Sequence, residues 1–264
     1  MNDLSIKEIL RSKEEKRILT SYITGIEDEY YKSDNTYIPC SVLWYGDVKV
    51  LIPITHLIKN NQTKSIIRGM LGAEIDFIVL EYDSINKIAI ASRLEAMELR
   101  AELELPKLKQ NDVIRVRIIA VGLKHIIVDM YGTEVIIKAS NLKHTYILNC
   151  KELYKVGEYL QVRILNIDIE KNNYELSAKD LEKDPFLDIR KDIKIGNEYI
   201  GTVISIPKEK SGFIAQLDKT KITCMVRLPA RFNHYPGYKS RVLIKITQIQ
   251  EKKRFVYGYL TRMI

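Results

Sequence analysis

Two glycines constrain this chain more than any other feature. Gly72 precedes Asp83 by eleven positions and Ser92 by twenty. Gly157 precedes Asp168 by eleven and Ser177 by twenty. Around the second glycine, Tyr154 to Lys179 reads YKVGEYLQVRILNIDIEKNNYELSAK. Leu160, Val162, Ile164 and Ile167 alternate with polar residues, which is strand periodicity. Asp168 to Asn173 is a polar turn, and Tyr174, Leu176 and Ala178 resume the alternation. A third, looser copy starts at Tyr235. There the glycine is Gly237, the aspartate position falls on Gln250, and the spacing is two residues longer. The copies lie 85 and 80 residues apart. A period of that length is a small domain rather than a solenoid unit.

The closing half of the second copy, glycine, V-x-I-L-x-I-D, polar turn and L-S, resembles the S-one-type domain family, and the other two copies follow it more loosely. That family is the OB-fold RNA-binding repeat of the large ribosomal small-subunit protein of that name. The opening half fits as well. VRVRIIAVGLKHIIVDMYGTEVIIKASNL in the second copy is similar to the family's first three strands, with Ser140 and Leu142 on its Ser-x-Leu signature. VKVLIPITHL plays that part in the first copy, and GTVISIPKEKSGFIAQL with ITCMVRLP in the third. The resemblance implies an all-β chain of three tandem OB-fold, five-stranded barrels with short helical linkers.

The boundaries follow from breakers and helix formers. Residues 1–15 read as an N-terminal helix, with Ser5 and Glu8 forming a capping box. Repeat one occupies 16–92. Arg93 to Leu105 holds only good helix formers before Pro106, so 93–106 reads as a linker helix. Repeat two is 107–179. The charged run 180–192, interrupted by Pro185, reads as a flexible linker. Repeat three is 193–264.

Composition narrows the function classes. Three cysteines, Cys40, Cys150 and Cys224, lie far apart without metal-like spacing, which predicts reduced thiols and a cytoplasmic home. No apolar run reaches a membrane span. There is no phosphate-binding Gly-Lys-Ser/Thr loop, nucleophile elbow or paired metal ligands, so no enzyme, cofactor or metal is expected. Charge is distributed unevenly. Arg190 to Ile264 holds sixteen Lys and Arg against five Asp and Glu, a net of +11, while the remaining residues sum to −3. A basic domain is the footprint of a polyanion partner.

In the family, nucleic acid lies across the outward faces of strands two and three. Two aromatics on strand two stack on bases. A histidine on strand three, with an aspartate and a basic residue near the last turn, completes the surface. In repeat three the resemblance puts Lys210 and Phe213 at the aromatic positions, Arg227 at the histidine and Arg254 at the final basic position. Phe213 stacks on a base or fills the core. Phe255, Tyr257 and Tyr259 read as inward positions of the last strand. In repeat two the aromatic positions are Lys124 and Ile127, and the histidine position is Lys138. Repeat one has Pro39, Val42 and Pro53 there. Trp44, the only tryptophan, sits two residues beyond Val42 on the same strand face. It is a displaced stacking residue or an anchor for a protein contact.

The expected function is non-catalytic binding of single-stranded RNA, mainly through the basic third repeat, with the ribosome or a protein assembly as a further partner. The rival is a structural or assembly protein, of phage or mobile-element type, that uses the barrels to hold other proteins. The RNA target and the oligomeric state stay open.

Overall fold

The computed structural model describes residues 2–31, 36–60, 63–206, 212–230, 232, 234–251 and 254–264. These fall into two compact units: Met1–Lys138 with Asn149–Ala178, and Ala139–Leu148 with Lys179–Ile264.

The first unit opens with helix α1 (Asn2–Glu15). It begins ahead of Ser5, so Ser5 lies inside the helix and caps nothing. What holds α1 down is its inner face. Ile9 is fully buried, the Ser12 hydroxyl donates to Arg17 O and accepts from Val79 N–H, and Glu8 accepts from the Tyr45 hydroxyl.

Barrel one follows: β1 (Leu19–Tyr31), β2 (Thr36–Tyr45), β3 (Val48–Pro53), the short helices α2 (Ile54–Leu57) and α3 (Lys64–Gly69), β4 (Glu74–Asp83) and β5 (Ile88–Ser92). The sheet closes in the order β1-β2-β3-β5-β4, with β3 and β5 parallel. That is the strand order of an OB-fold. Gly25 does not end β1. The strand runs on past it through a bulge between Ile23 and Gly25, which lets one long strand serve both sides of the barrel.

Helix α4 (Arg93–Glu104) starts at Ser92, whose hydroxyl accepts from Glu95 N–H. It leads into the second sheet: β6 (Val113–Val121), β7 (His125–Met130), β8 (Thr133–Lys138), β9 (Tyr159–Asp168) and β10 (Asn173–Ser177). The order is β10-β9-β6-β7-β8 and the sheet stays open. A third closed barrel was expected from the repeat. Alternation along β8 and β10 buries Val135, Ile137 and Leu176 whether or not those strands form a ladder, so sequence periodicity could not decide closure.

These two repeats share one body. Ile119 of β6 belongs to the same buried cluster as the core of barrel one. Arg117 of β6 donates through both terminal nitrogens to Asp76 of β4, at 2.7 Å each, and also to Asp129 of β7. Asp76 receives Arg100 of α4 and the Thr20 hydroxyl as well. All three members of the Asp76–Arg117–Asp129 triad are at most 5% exposed. The repeat glycines themselves meet: Gly157, at φ +86°, lies so close to Gly72 that a Cβ on it would stand 2.4 Å from the Gly72 carbonyl oxygen.

The second unit contains α5 (Ala139–Leu142), α6 (Ile189–Asp192) and barrel three. Its strands are β11 (Glu198–Ser205), β12 (Gly212–Leu217), β13 (Thr223–Arg227), β14 (Arg241–Gln250) and β15 (Phe255–Met263). They close in the order β11-β12-β13-β15-β14, again with the third and fifth parallel.

The segment read as a flexible linker is packed onto this barrel. Ile189 and Ile193 are buried in its core, and Phe186 packs beside them. Asp184 receives both terminal nitrogens of Arg254 at 2.6 and 2.7 Å, and Arg254 covers the Phe186 ring. The charges that suggested a solvated linker are therefore a clamp. Solvent screens a pair this exposed, so it is worth about 1 kcal/mol. Arg254→Ala should speed cleavage within 180–192 roughly fivefold in limited proteolysis. Equal cleavage of the parent and the variant would show that the clamp does not hold the segment.

Candidate nucleic-acid interface

Register decides which side chains of barrel three face outward. Arg227 on β13 is Cα-paired with Gly212 on β12, and Met225 with Ile214. In the second sheet, Lys138 is paired with His125, and Ile127 with Ile136. Ile214 therefore corresponds to Ile127. Phe213 is one residue out of step. A slip of one residue in a strand reverses every side chain. Phe213 points inward and is 1% exposed, packed with Ala215, Val226 and Leu260 in the core. It presents no ring to a base and is a core residue, not part of an RNA face.

The last strand errs in the opposite sense. Along β15, Val256, Gly258 and Leu260 are buried, so Tyr257 and Tyr259 stand on the outer side. Gly258 explains the arrangement. A Cβ there would meet Lys245 O at 2.6 Å and Ile244 Cγ2 at 2.7 Å, so this inward slot admits no side chain. A glycine between two tyrosines was the sequence signal that could have found this pair.

Outer side chains that are Cα-paired share a face of the sheet. One row crosses barrel three as Gly212, Arg227, Tyr259, Lys245 and Glu198. The next row holds Ile214, Met225 and Tyr257. Arg227 is exposed, Met225 is 41% exposed, and Lys245 and Tyr259 are half-buried. Among the described residues, none of the ion pairs involves Arg227, Lys245 or Arg262. The tyrosines offer flat faces and the cations offer unneutralised charge. Stacking beside such a groove is how single strands are held without sequence readout. Lys245, Tyr259 and Arg262 also line a shallow groove with Glu198 and Leu243.

The other residues singled out in the sequence scatter. Lys210 lies outside the described residues. Arg254 is held by Asp184, whose carboxyl is brought down to about 2 mainly by the bonds from Arg254. The carboxylate neutralises the guanidinium in place, so Arg254 is not a free phosphate contact. Lys124 is exposed in the turn before β7, and Lys138 is exposed on β8 beside His125. The apolar pair Ile127 and Ile136 occupies the centre of that face.

In barrel one the corresponding face is apolar. Cys40, Val42 and Leu51 form a buried cluster with Ile88 packed against it. Burial, followed by the nearby Glu29, pushes the Cys40 thiol up to about 12. Lys49 is bonded to Glu27, and Lys64 to Asp28. Trp44 is 51% exposed at the edge of this face, opposite Lys49. The three cysteines are free and buried.

Among the described residues, no set of three or more His, Cys, Asp or Glu could hold a metal ion, and no helix is long and apolar enough to cross a membrane.

No protein-family model matches the chain. Small ribosomal subunit protein bS1 of Staphylococcus saprophyticus is 29% identical over 140 residues, which is 51% of this chain and 35% of that protein. The bS1 of Leuconostoc lactis is 29% identical over 129 residues, covering 47% of this chain and 30% of its own. The 4-hydroxy-3-methylbut-2-enyl diphosphate reductase of Clostridium tetani is 27% identical over 167 residues, 60% of this chain and 25% of the reductase. The chain thus spans about a quarter to a third of these relatives' lengths. Among solved structures, a multidomain protein with nucleic acid binding domains from Streptococcus pneumoniae aligns over 93% of this chain and 73% of its own, at 12% identity and a TM-score of 0.23. GSP13 from Bacillus subtilis aligns over 28% of this chain and 58% of its own, at 21% identity and a TM-score of 0.26. Two closed barrels have the strand order of an OB-fold, and about half of the chain is similar in sequence to small ribosomal subunit protein bS1.

Proposed function

We propose that this chain is a non-catalytic binder of single-stranded RNA, and that barrel three is its main contact surface. The observation that carries the reading is the outer row Arg227, Tyr259 and Lys245, set in the region whose net charge is +11. The bS1 relatives support the RNA class, since their name makes them parts of the small ribosomal subunit. The match to a reductase covers a quarter of that enzyme. A cytoplasmic setting and a contact with the ribosome belong to the same proposal.

Titration of a labelled, unstructured oligoribonucleotide at several salt concentrations tests it. Tyr259→Ala should weaken binding by about 1–3 kcal/mol if a base stacks on the ring. Arg227→Ala and Lys245→Ala should each flatten the salt dependence by about 0.7 in log–log slope, the share of one phosphate on a single strand. Lys138→Ala and Lys124→Ala, on the second sheet, should change affinity by less than either. If the Tyr259, Arg227 and Lys245 variants all bind like the parent, the surface lies elsewhere.

One observation favours a second role for barrel one. Trp44 stands half-exposed on a face whose neighbours are apolar or already ion-paired. A large amphipathic ring is a common anchor in protein interfaces. A protein assembly partner is proposed for that face, with Trp44 removed from the RNA surface. Tryptophan emission that shifts on adding RNA would return it there.

A further inference from the structure

The groove on barrel three contains one acidic residue, Glu198. A carboxylate repels phosphate, so a surface built only for the RNA backbone would not place one there. Glu198 is exposed and is Cα-paired with Lys245, which is in turn Cα-paired with Tyr259. The three side chains stand in one row on adjacent strands, at about 4.8 Å per strand. Among the described residues, Glu198 and Lys245 form no ion pair with each other or with other groups, although opposite charges so placed could do so. By contrast, two other acids of this region are engaged: Asp218 by Arg241 and Thr202, and Glu251 by Arg190.

We infer that this row reads the Watson–Crick edge of a guanine stacked on Tyr259. The inference rests on the RNA-binding proposal and adds a base preference to it. The chemistry is selective. A carboxylate presents two acceptor oxygens. Guanine alone among the four RNA bases offers two neighbouring donors on that edge, N1–H and the 2-amino group. Its O6 lies next to them as an acceptor for the Lys245 ammonium. Cytosine and adenine each set one amino group beside a ring-nitrogen acceptor, which opposes the second carboxylate oxygen. Uracil sets one N–H between two carbonyls. Splayed single-stranded bases are read in this way, by stacking plus hydrogen bonds to their edges. A bidentate contact to a base edge, of whatever donor and acceptor set, discriminates against bases that cannot complete it.

The experiment uses the full chain and an adenosine-rich oligoribonucleotide carrying one central guanosine, compared with the same strand carrying inosine, which lacks only the 2-amino group. The parent should bind the guanosine strand about 5- to 10-fold more tightly, the lower part of the range for a bidentate base contact on an exposed site. Glu198→Ala and Glu198→Gln should both reduce that ratio to less than twofold. The glutamine variant replaces one acceptor oxygen with a donor amide while keeping size and outer-face position, and thermal melts confirm folding of both. A parent that binds both strands equally overturns the inference and leaves Glu198 and Lys245 as an ordinary cross-strand charge pair. A parent that binds neither strand at low salt overturns the RNA reading itself, which is a separate result.

Discussion

Phe213→Ala is expected to cost about 3–5 kcal/mol of stability, the usual range for emptying a buried phenylalanine site. The ring is 1% exposed and surrounded by buried side chains from β13 and β15, so little can collapse into the space. The measurement is a denaturant or thermal melt of the variant against the parent. The same variant, kept folded at low temperature, should retain the parent's salt slope for RNA, because no phosphate contact is lost. A change below about 1 kcal/mol together with a large loss of RNA affinity would place the ring on the surface after all and invert the register argument.

A comparable loss, about 3–5 kcal/mol, is expected for Arg117→Ala, because it strands Asp76 and Asp129 as buried charges without a partner. Arg117→Met should fare little better, since volume does not replace the missing charge. Acid should reproduce part of the effect. Burial pushes the Asp76 carboxyl up, but the bonds and charges of Arg117 and Arg100 outweigh it and hold the group below the ordinary carboxyl range. Its folded value is thus lower than its unfolded one. The stabilisation is present in full above the unfolded pKa of about 3.9 and fades as pH falls below that toward the folded value. Melting temperature measured between neutral and strongly acidic pH should show that loss in the parent and much less of it in Asp76→Asn. Equal acid sensitivity in both would assign the loss to other carboxylates.

Much of the architecture was legible because it depends on short-range rules. The repeat period, the strand alternation in β9 and β10, and the helix formers of α4 between Ser92 and Pro106 are all read one residue at a time. The site was legible only where register was. In the first two repeats, Cys40 is Cα-paired with Pro53 and His125 with Lys138, so the positions that the resemblance gave to Val42 and Ile127 are in register with each other. In the third, the assignment was displaced by one residue, and Phe213 took a place that belongs to Ile214. Strand period alone cannot see such a slip, because both readings alternate. Tyr257 and Tyr259 were misplaced for a related reason. The β14–β15 ladder shifts register twice, and a bulge leaves no mark in the apolar pattern. The docked segment around Phe186 was missed because its carboxylate finds its cation seventy residues away.

The contact between Gly72 and Gly157 bears on how this chain can change over generations. Tandem barrels are commonly treated as beads, free to be gained, lost or exchanged. Here the matching turns of two neighbours touch backbone to backbone, and the α4 strut between them is pressed just as closely: a Cβ at Gly132 would fall 2.2 Å from Met97 O. Each residue added to a helix advances it by about 1.5 Å and turns it by about 100°. A single insertion in α4 would therefore swing one partner away from the other and break the glycine contact and the Arg117 triad together. Repeats one and two are heritable as a pair of fixed phase, and recombination that separates them would yield halves with unmatched surfaces rather than portable modules.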